Sequence, residues 1–202
     1  MRSRRYFRAE SSLFLCLMVL LSAISPETAS AQYFLTPAGI QKGTGADIYG
    51  PGHRYHLEAP KGWTVDTQAA KADGLGAVFY PNGSSWQNAP VVMYTRILEH
   101  DGKTFSQVID GDLKAMAQDS RTFRATDKTA VISTRHQTAL VKDLTGEPSG
   151  QLERVAYFEE KHWVVLIVLV AHNEADLKNS FQAFEQLVQS YRYISDHSDV
   201  VK

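Results

Sequence analysis

Hydrophobic and polar positions along this chain change period several times, and each change predicts an element. From His53 the pattern is two-fold: Tyr55, Leu57 and Ala59 alternate with Arg54, His56 and Glu58, as in a half-buried strand. Pro60-Lys61-Gly62 then turns the chain into Trp63-Thr64-Val65. A second strand, Ala77 to Tyr80, stops at Pro81-Asn82-Gly83, and Pro90 opens a third, Val91 to Leu98. Phe105, Val108, Ile109, Leu113 and Met116 then recur at helical spacing, so Thr104 to Gln118 is predicted as an amphipathic helix capped near Asp101 or Thr104. Two or three short strands are expected between Phe123 and Leu144, followed by a loop at 146–150.

The strongest pattern comes late. Leu152 to Glu159 and Trp163 to Ala171 face each other as a hairpin about Glu160-Lys161, and every residue from Trp163 to Ala171 is apolar. Such a run predicts a strand dry on both faces, which needs cover on both sides. A closing helix is expected from Asn173, with Glu174 and Asp176 in its first turn and a stripe of Leu177, Phe181, Phe184, Val188 and Tyr191.

Upstream of these elements the chain has the layout of an export signal. Arg2, Arg4, Arg5 and Arg8 precede an apolar stretch from Leu13 to Ile24, and Pro26 comes before the small residues Ala29-Ser30-Ala31. The stretch is shorter than the roughly 20 residues a spanning helix needs. Residues 1–31 are therefore expected to be a signal peptide cleaved after Ala31, with a periplasmic destination. Ser3-Arg4-Arg5-Tyr6-Phe7 resembles a twin-arginine pattern, but Arg8 and the strongly apolar run favour the general secretory route. Residues 32–52, rich in glycine and proline, are expected to be a flexible leader, residues 53–194 one domain, and residues 195–202 a polar tail.

Cleavage leaves about 170 of the 202 residues, enough for one domain with a sizeable core. It also removes Cys16, the sole cysteine, and with it any disulfide, cysteine nucleophile or thiolate metal site. The formal charge of the whole chain is -1, and losing the signal-peptide arginines makes it only slightly more acidic. That balance leaves no electrostatic footprint for nucleic acid or an anionic membrane.

The order of elements resembles the PsbP-like superfamily, which includes lumenal PsbP proteins, the Ran-binding Mog protein and DcrB-like exported bacterial proteins. The residues carrying the resemblance are Pro60-x-Gly62-Trp63, the central helix, the hairpin from Glu153 to Ala171, and the closing helix with Phe181, Phe184 and Ser190-Tyr191. The resemblance implies an α+β fold, mainly an antiparallel β-sheet flanked by helices on both faces in an α/β/α sandwich. It also implies accessory or partner-binding activity, and it transfers no site.

Candidate chemistry is sparse. No serine lies in a Gly-x-Ser-x-Gly turn. His53 and His56 have metal-like spacing, but three residues apart on a strand they point to opposite faces. His162 and His172 would lie about 33 Å apart on one strand at ~3.3 Å per residue. Asp110-Gly111-Asp112 lacks the remaining ligands of a calcium loop and reads as a charge pair on the helix surface. No metal or cofactor is called for. The place where binding is assigned is the loop Asn82-Gly83-Ser84-Ser85-Trp86-Gln87-Asn88, with Asn82, Ser84, Ser85, Trp86, Gln87 and Asn88 as its candidate contacts. A tryptophan in such a loop either packs back onto the fold or meets a partner. Trp63 and Trp163 are expected in the core. Two function classes follow: an exported non-enzymatic accessory protein binding an envelope protein or small ligand, and a hydrolase or metal-dependent enzyme with an unfamiliar site.

Overall fold

The apolar run from Trp163 to Ala171 becomes a strand whose alternate side chains enter two separate cores. The structure, a computed structural model, describes residues 34–35, 41–42, 45–50, 52–126, 130–146 and 149–196. Their elements, in order, are β1 (Phe34–Leu35), β2 (Gln41–Lys42), β3 (Gly45–Gly50), β4 (His53–Glu58), β5 (Trp63–Asp66), α1 (Thr67–Ala72), β6 (Val78–Pro81) and β7 (Val91–Glu99). There follow α2 (Phe105–Asp119), β8 (Arg124–Ala125), β9 (Ala130–Ser133), β10 (Thr138–Thr145), β11 (Leu152–Glu159), β12 (Trp163–Ala171), α3 (Glu174–Asn179), α4 (Phe181–Gln189) and β13 (Arg192–Ser195). The expected signal peptide and the end of the polar tail lie outside the described residues.

The fold is α+β and mainly antiparallel. The larger sheet runs β2-β5-β6-β7-β12-β11-β10-β8, with β9 also pairing β10, and the smaller runs β1-β3-β4-β13. β12 sits between β7 and β11, in register with Trp163 opposite Glu99 and Leu152 opposite Ala171. Its even positions, Val164, Leu166, Val168 and Val170, share a core with Val108, Ile109 and Met116 of α2. Its odd positions, Val165, Ile167 and Leu169, share the other with Ile48, Tyr55 and Leu57 of the smaller sheet and Phe184, Leu187 and Val188 of α4. Ile167 and Val168 are 0% and 2% exposed, so the central strand is dry on both faces. Burying such side chains is worth roughly 1.5–3 kcal/mol each. The cover differs from the expectation on one side only: the second face is shared between α4 and the smaller sheet.

The predicted α2 forms with Thr104 as N-cap in a reciprocal box, its hydroxyl accepting from Gln107 N while Gln107 Oε1 accepts from Thr104 N. Several boundaries are corrected by the structure. Residues 45–50, expected in the flexible leader, form β3, pairing Ala46 with Leu57 and Ile48 with Tyr55. Ile48 is fully buried, so this segment belongs to the domain. The short α1 follows β5 because the Asp66 carboxylate accepts from both Gln68 N and Ala69 N. The closing helix is two: Asn173 caps α3 as expected, but Ser180 ends it and α4 begins afresh. After α4, residues 192–195 pair with β4 as β13.

Candidate functional site

The loop between β6 and β7 is built rather than free. Asn82 Oδ1 accepts from Thr64 Oγ1 at 2.7 Å, Ser84 Oγ donates to Pro81 O at 2.6 Å, and Asn88 Oδ1 accepts from Ser85 N at 2.7 Å. Trp86, which sequence leaves open between core and partner, is 3% exposed. Its Nε1 donates to Asp73 Oδ2 at 2.7 Å and its ring meets the edge of Tyr94. Trp86 therefore pins the loop to the α2-side core, and the surface left by the loop is polar, chiefly Asn82, Gln87 and Asn88.

The other tryptophans are structural as well. Trp63 is buried, and Trp163 is half-buried with its Nε1 donating to Gly52 O at 2.9 Å. The histidines separate as strand geometry requires. His53 faces the core beside Trp163, while His56 lies on the outer face of the smaller sheet, Nδ1 2.6 Å from Asp47 Oδ1. Arg54 also reaches Asp47, at 2.7 Å, and sits over the Tyr49 ring. Burial raises the Asp47 pKa, but the hydrogen bonds and charges of Arg54 and His56 outweigh it, so the net shift is downward.

Asp110 and Asp112 are not a surface pair. Asp110 is exposed, whereas Asp112 turns inward beneath α2, 6% exposed, bonded to Arg96 Nη2 and to the Tyr157 hydroxyl. The two lie on different sides of the helix, which separates neighbours two apart. Burial, then the charge of Asp112, pushes the Tyr157 pKa well up, so the phenol stays a donor. This network ties α2 to β7 and β11. No group of three or more His, Cys, Asp or Glu side chains suited to a metal ion occurs among the described residues, and no described helix is long and apolar enough to cross a membrane.

A cleft of about 640 Å³ lies where three remote segments meet. Its walls are the β4–β5 turn with Glu58, Pro60 and Lys61, the β9–β10 turn with Thr134 and Arg135, and the end of α4 with Gln186, Gln189 and Ser190. Ser190 Oγ accepts from Glu58 N at 2.9 Å and donates to Leu187 O at 2.7 Å. Thr134 Oγ1 donates to Gln137 O at 2.9 Å and accepts from the His136 and Gln137 backbone N–H groups. Both hydroxyls are thus committed to backbone. Lys61 and Arg135 are exposed, and neither is ion-paired among the described residues. Behind the cleft, Glu160 Oε1 accepts from Gln137 Nε2 at 2.7 Å and from the Tyr191 hydroxyl at 2.9 Å, joining two of the walls. Sequence order hides this site, because nothing along the chain signals that residues 58–61, 133–135 and 186–190 converge.

No protein-family model matches the chain, and no curated protein is significantly similar to it. Among solved structures, it is similar to the cyanobacterial PsbP of Synechocystis sp. PCC 6803, with 12% identity over 86% of this chain and 99% of the other, at a TM-score of 0.48. It is also similar to a protein of unknown function from Pseudomonas aeruginosa, with 17% identity over 56% of this chain and 88% of the other, at a TM-score of 0.40.

Proposed function

We propose that this is an exported, non-enzymatic accessory protein that holds a segment of an envelope partner or a small ligand in the cleft between the β4–β5 turn, the β9–β10 turn and the end of α4. The observation supporting it is a division of roles within the cleft. Two of its three hydroxyls, those of Ser190 and Thr134, are consumed in holding the backbone, the third, Ser133, is exposed, and its Lys61 and Arg135 cations and its Gln186 and Gln189 amides remain turned to solvent. Groups so arranged suit recognition by hydrogen bonds and charge rather than nucleophilic attack, which needs a hydroxyl poised on a base. Export rests on the signal-like residues 1–31.

The test is site-specific photocrosslinking in intact cells. A benzophenone side chain at Gln189 is expected to trap one discrete partner or ligand adduct, and the same group at Gln107, exposed on α2, is expected to trap none. Equal adducts from both positions would overturn the assignment.

A second reading, a hydrolase, is favoured by one observation: the 2.6 Å contact of His56 with Asp47 resembles the base-and-orienter half of a triad. Its other ring nitrogen lies 4.0 Å from Glu58 Oε1. A substrate screen of wild type against His56→Ala, with and without divalent ions, separates this reading from the first. Hydrolysis lost in the variant would replace binding by catalysis.

A further inference from the structure

Resting on the reading of the cleft as the binding site, we infer that its occupant is an acidic peptide segment of a protein partner. Lys61 and Arg135 come from two different walls, both exposed, and neither is ion-paired among the described residues. Glu58 is the acidic residue of the lining, yet its carboxylate lies 4.0 Å from His56 Nε2, on the outer face of the smaller sheet, and its side chain is 73% exposed. Its backbone, not its charge, serves the cleft, through the bond to Ser190. Gln186 and Gln189, one turn apart on the same face of α4, add amide donors on the third wall. Cations and neutral donors on three sides select an anion.

Shape then selects the kind of anion. Small-molecule sites are enclosed and mostly apolar, whereas this space of about 640 Å³ is open and walled by charged and amide groups. An extended acidic segment can place one carboxylate against the planar Arg135 guanidinium and another at Lys61. The walls are also held in place beforehand. Gln137 closes the β9–β10 turn and Tyr191 follows Ser190, and both donate to the same Glu160 oxygen. A segment docking there does not have to order the two walls first, which is the usual route to affinity at modest contact area.

The test uses the full-length chain and three probes: capped octaglutamate, capped octaglutamine and inorganic phosphate, followed by the backbone amide resonances of Lys61, Arg135 and Gln189. Octaglutamate is expected to shift all three, with binding about tenfold weaker in Lys61→Glu/Arg135→Glu, in keeping with two exposed charge pairs, and weaker in high salt. Where charge reversal unfolds the chain, Lys61→Gln/Arg135→Gln serves in its place. Octaglutamine shifting the same resonances equally would overturn the proposal. So would unchanged octaglutamate binding in a folded double variant, or phosphate saturating the site and displacing octaglutamate. Failure of octaglutamate while the Gln189 crosslink still traps a partner overturns the acidic class alone. Loss of that crosslink overturns the reading beneath it.

Discussion

Arg96 Nη2 donates to Asp112 Oδ1 at 2.9 Å, joining β7 to α2 where the Asp112 side chain is 1% and the Arg96 side chain 15% exposed. The second carboxylate oxygen accepts from the Tyr157 hydroxyl at 3.2 Å, so one aspartate anchors the helix to two strands.

Removing Asp112 takes from the largely buried Arg96 guanidinium a carboxylate to which it donates. Asp112→Ala is expected to destabilise the fold by about 3–5 kcal/mol, read as a lowered urea midpoint. Replacing both partners, as in Arg96→Met with Asp112→Leu, is expected to recover part of that loss, because neither charge of this pair is then buried without the other. A double variant as unstable as Asp112→Ala would show that the ion pair itself supplies net stability.

Trp86 gives a second prediction, because it buries its indole and donates to Asp73. Trp86→Ala is expected to cost about 3–5 kcal/mol through lost burial and a cavity, measured by thermal denaturation. Trp86→Phe keeps much of the ring and loses the hydrogen bond, for about 1 kcal/mol. An alanine variant with unchanged melting temperature would mean that the indole is not packed against Tyr94.

What sequence makes legible here is set by how local each cause is. The β11–β12 hairpin shows in the unbroken apolar run from Trp163, and α2 in its helical stripe behind a cap near Asp101 or Thr104. β3 escapes notice because two of its three inward residues are Ala46 and Gly50, so the two-fold alternation is faint until β4 pairs with it. β13 escapes for a similar reason: Arg192-Tyr193-Ile194-Ser195 is too short to announce itself, and only the pairing of Tyr193 with Tyr55 makes it a strand. Ser180 divides a helix whose apolar stripe runs on across the break. Asp112 looks like a surface charge until Arg96 and Tyr157, distant in sequence, are brought beneath it. The cleft is the extreme case, since each wall alone is an ordinary polar turn or helix end.

Glu160 carries a pH-dependent prediction. Burial raises its pKa, and Asp196 adds to this, while the hydrogen bonds from Gln137 and Tyr191 only partly offset it. A folded-state pKa above the unfolded one means that its contribution to stability is fully present below the unfolded value and lost as pH rises through the folded value. At neutral pH the wild type therefore holds an unfavourably placed charge. Glu160→Gln keeps an oxygen acceptor for both donors without that charge. It is expected to be more stable than wild type at pH 7, with the difference vanishing below about pH 4, where the glutamate is neutral in both states. Parallel urea titrations of the two proteins across this range check it, and a constant difference would exclude titration of Glu160 as the cause.

The last prediction concerns the link between the end of α2 and β10. Gly146 has a φ of +77°, and a Cβ there would lie 1.9 Å from Thr122 O. The carbonyl of Gly146 is itself held by the hydroxyls of Ser120 and Thr122, which donate to it at 2.5 and 2.9 Å. Gly146→Ala must therefore bear both the left-handed backbone cost, about 1–2 kcal/mol, and displacement of the 120–122 turn. Gly150 has a similar φ of +73° with nothing within 4 Å of its Cβ position, so Gly150→Ala bears the backbone cost alone. Chemical denaturation is expected to rank Gly146→Ala below Gly150→Ala, and hydrogen exchange is expected to quicken at Arg124 and Ala125, whose strand pairs with β10 beside Gly146. Equal losses in the two variants would show that the turn yields freely and that backbone strain alone sets the cost.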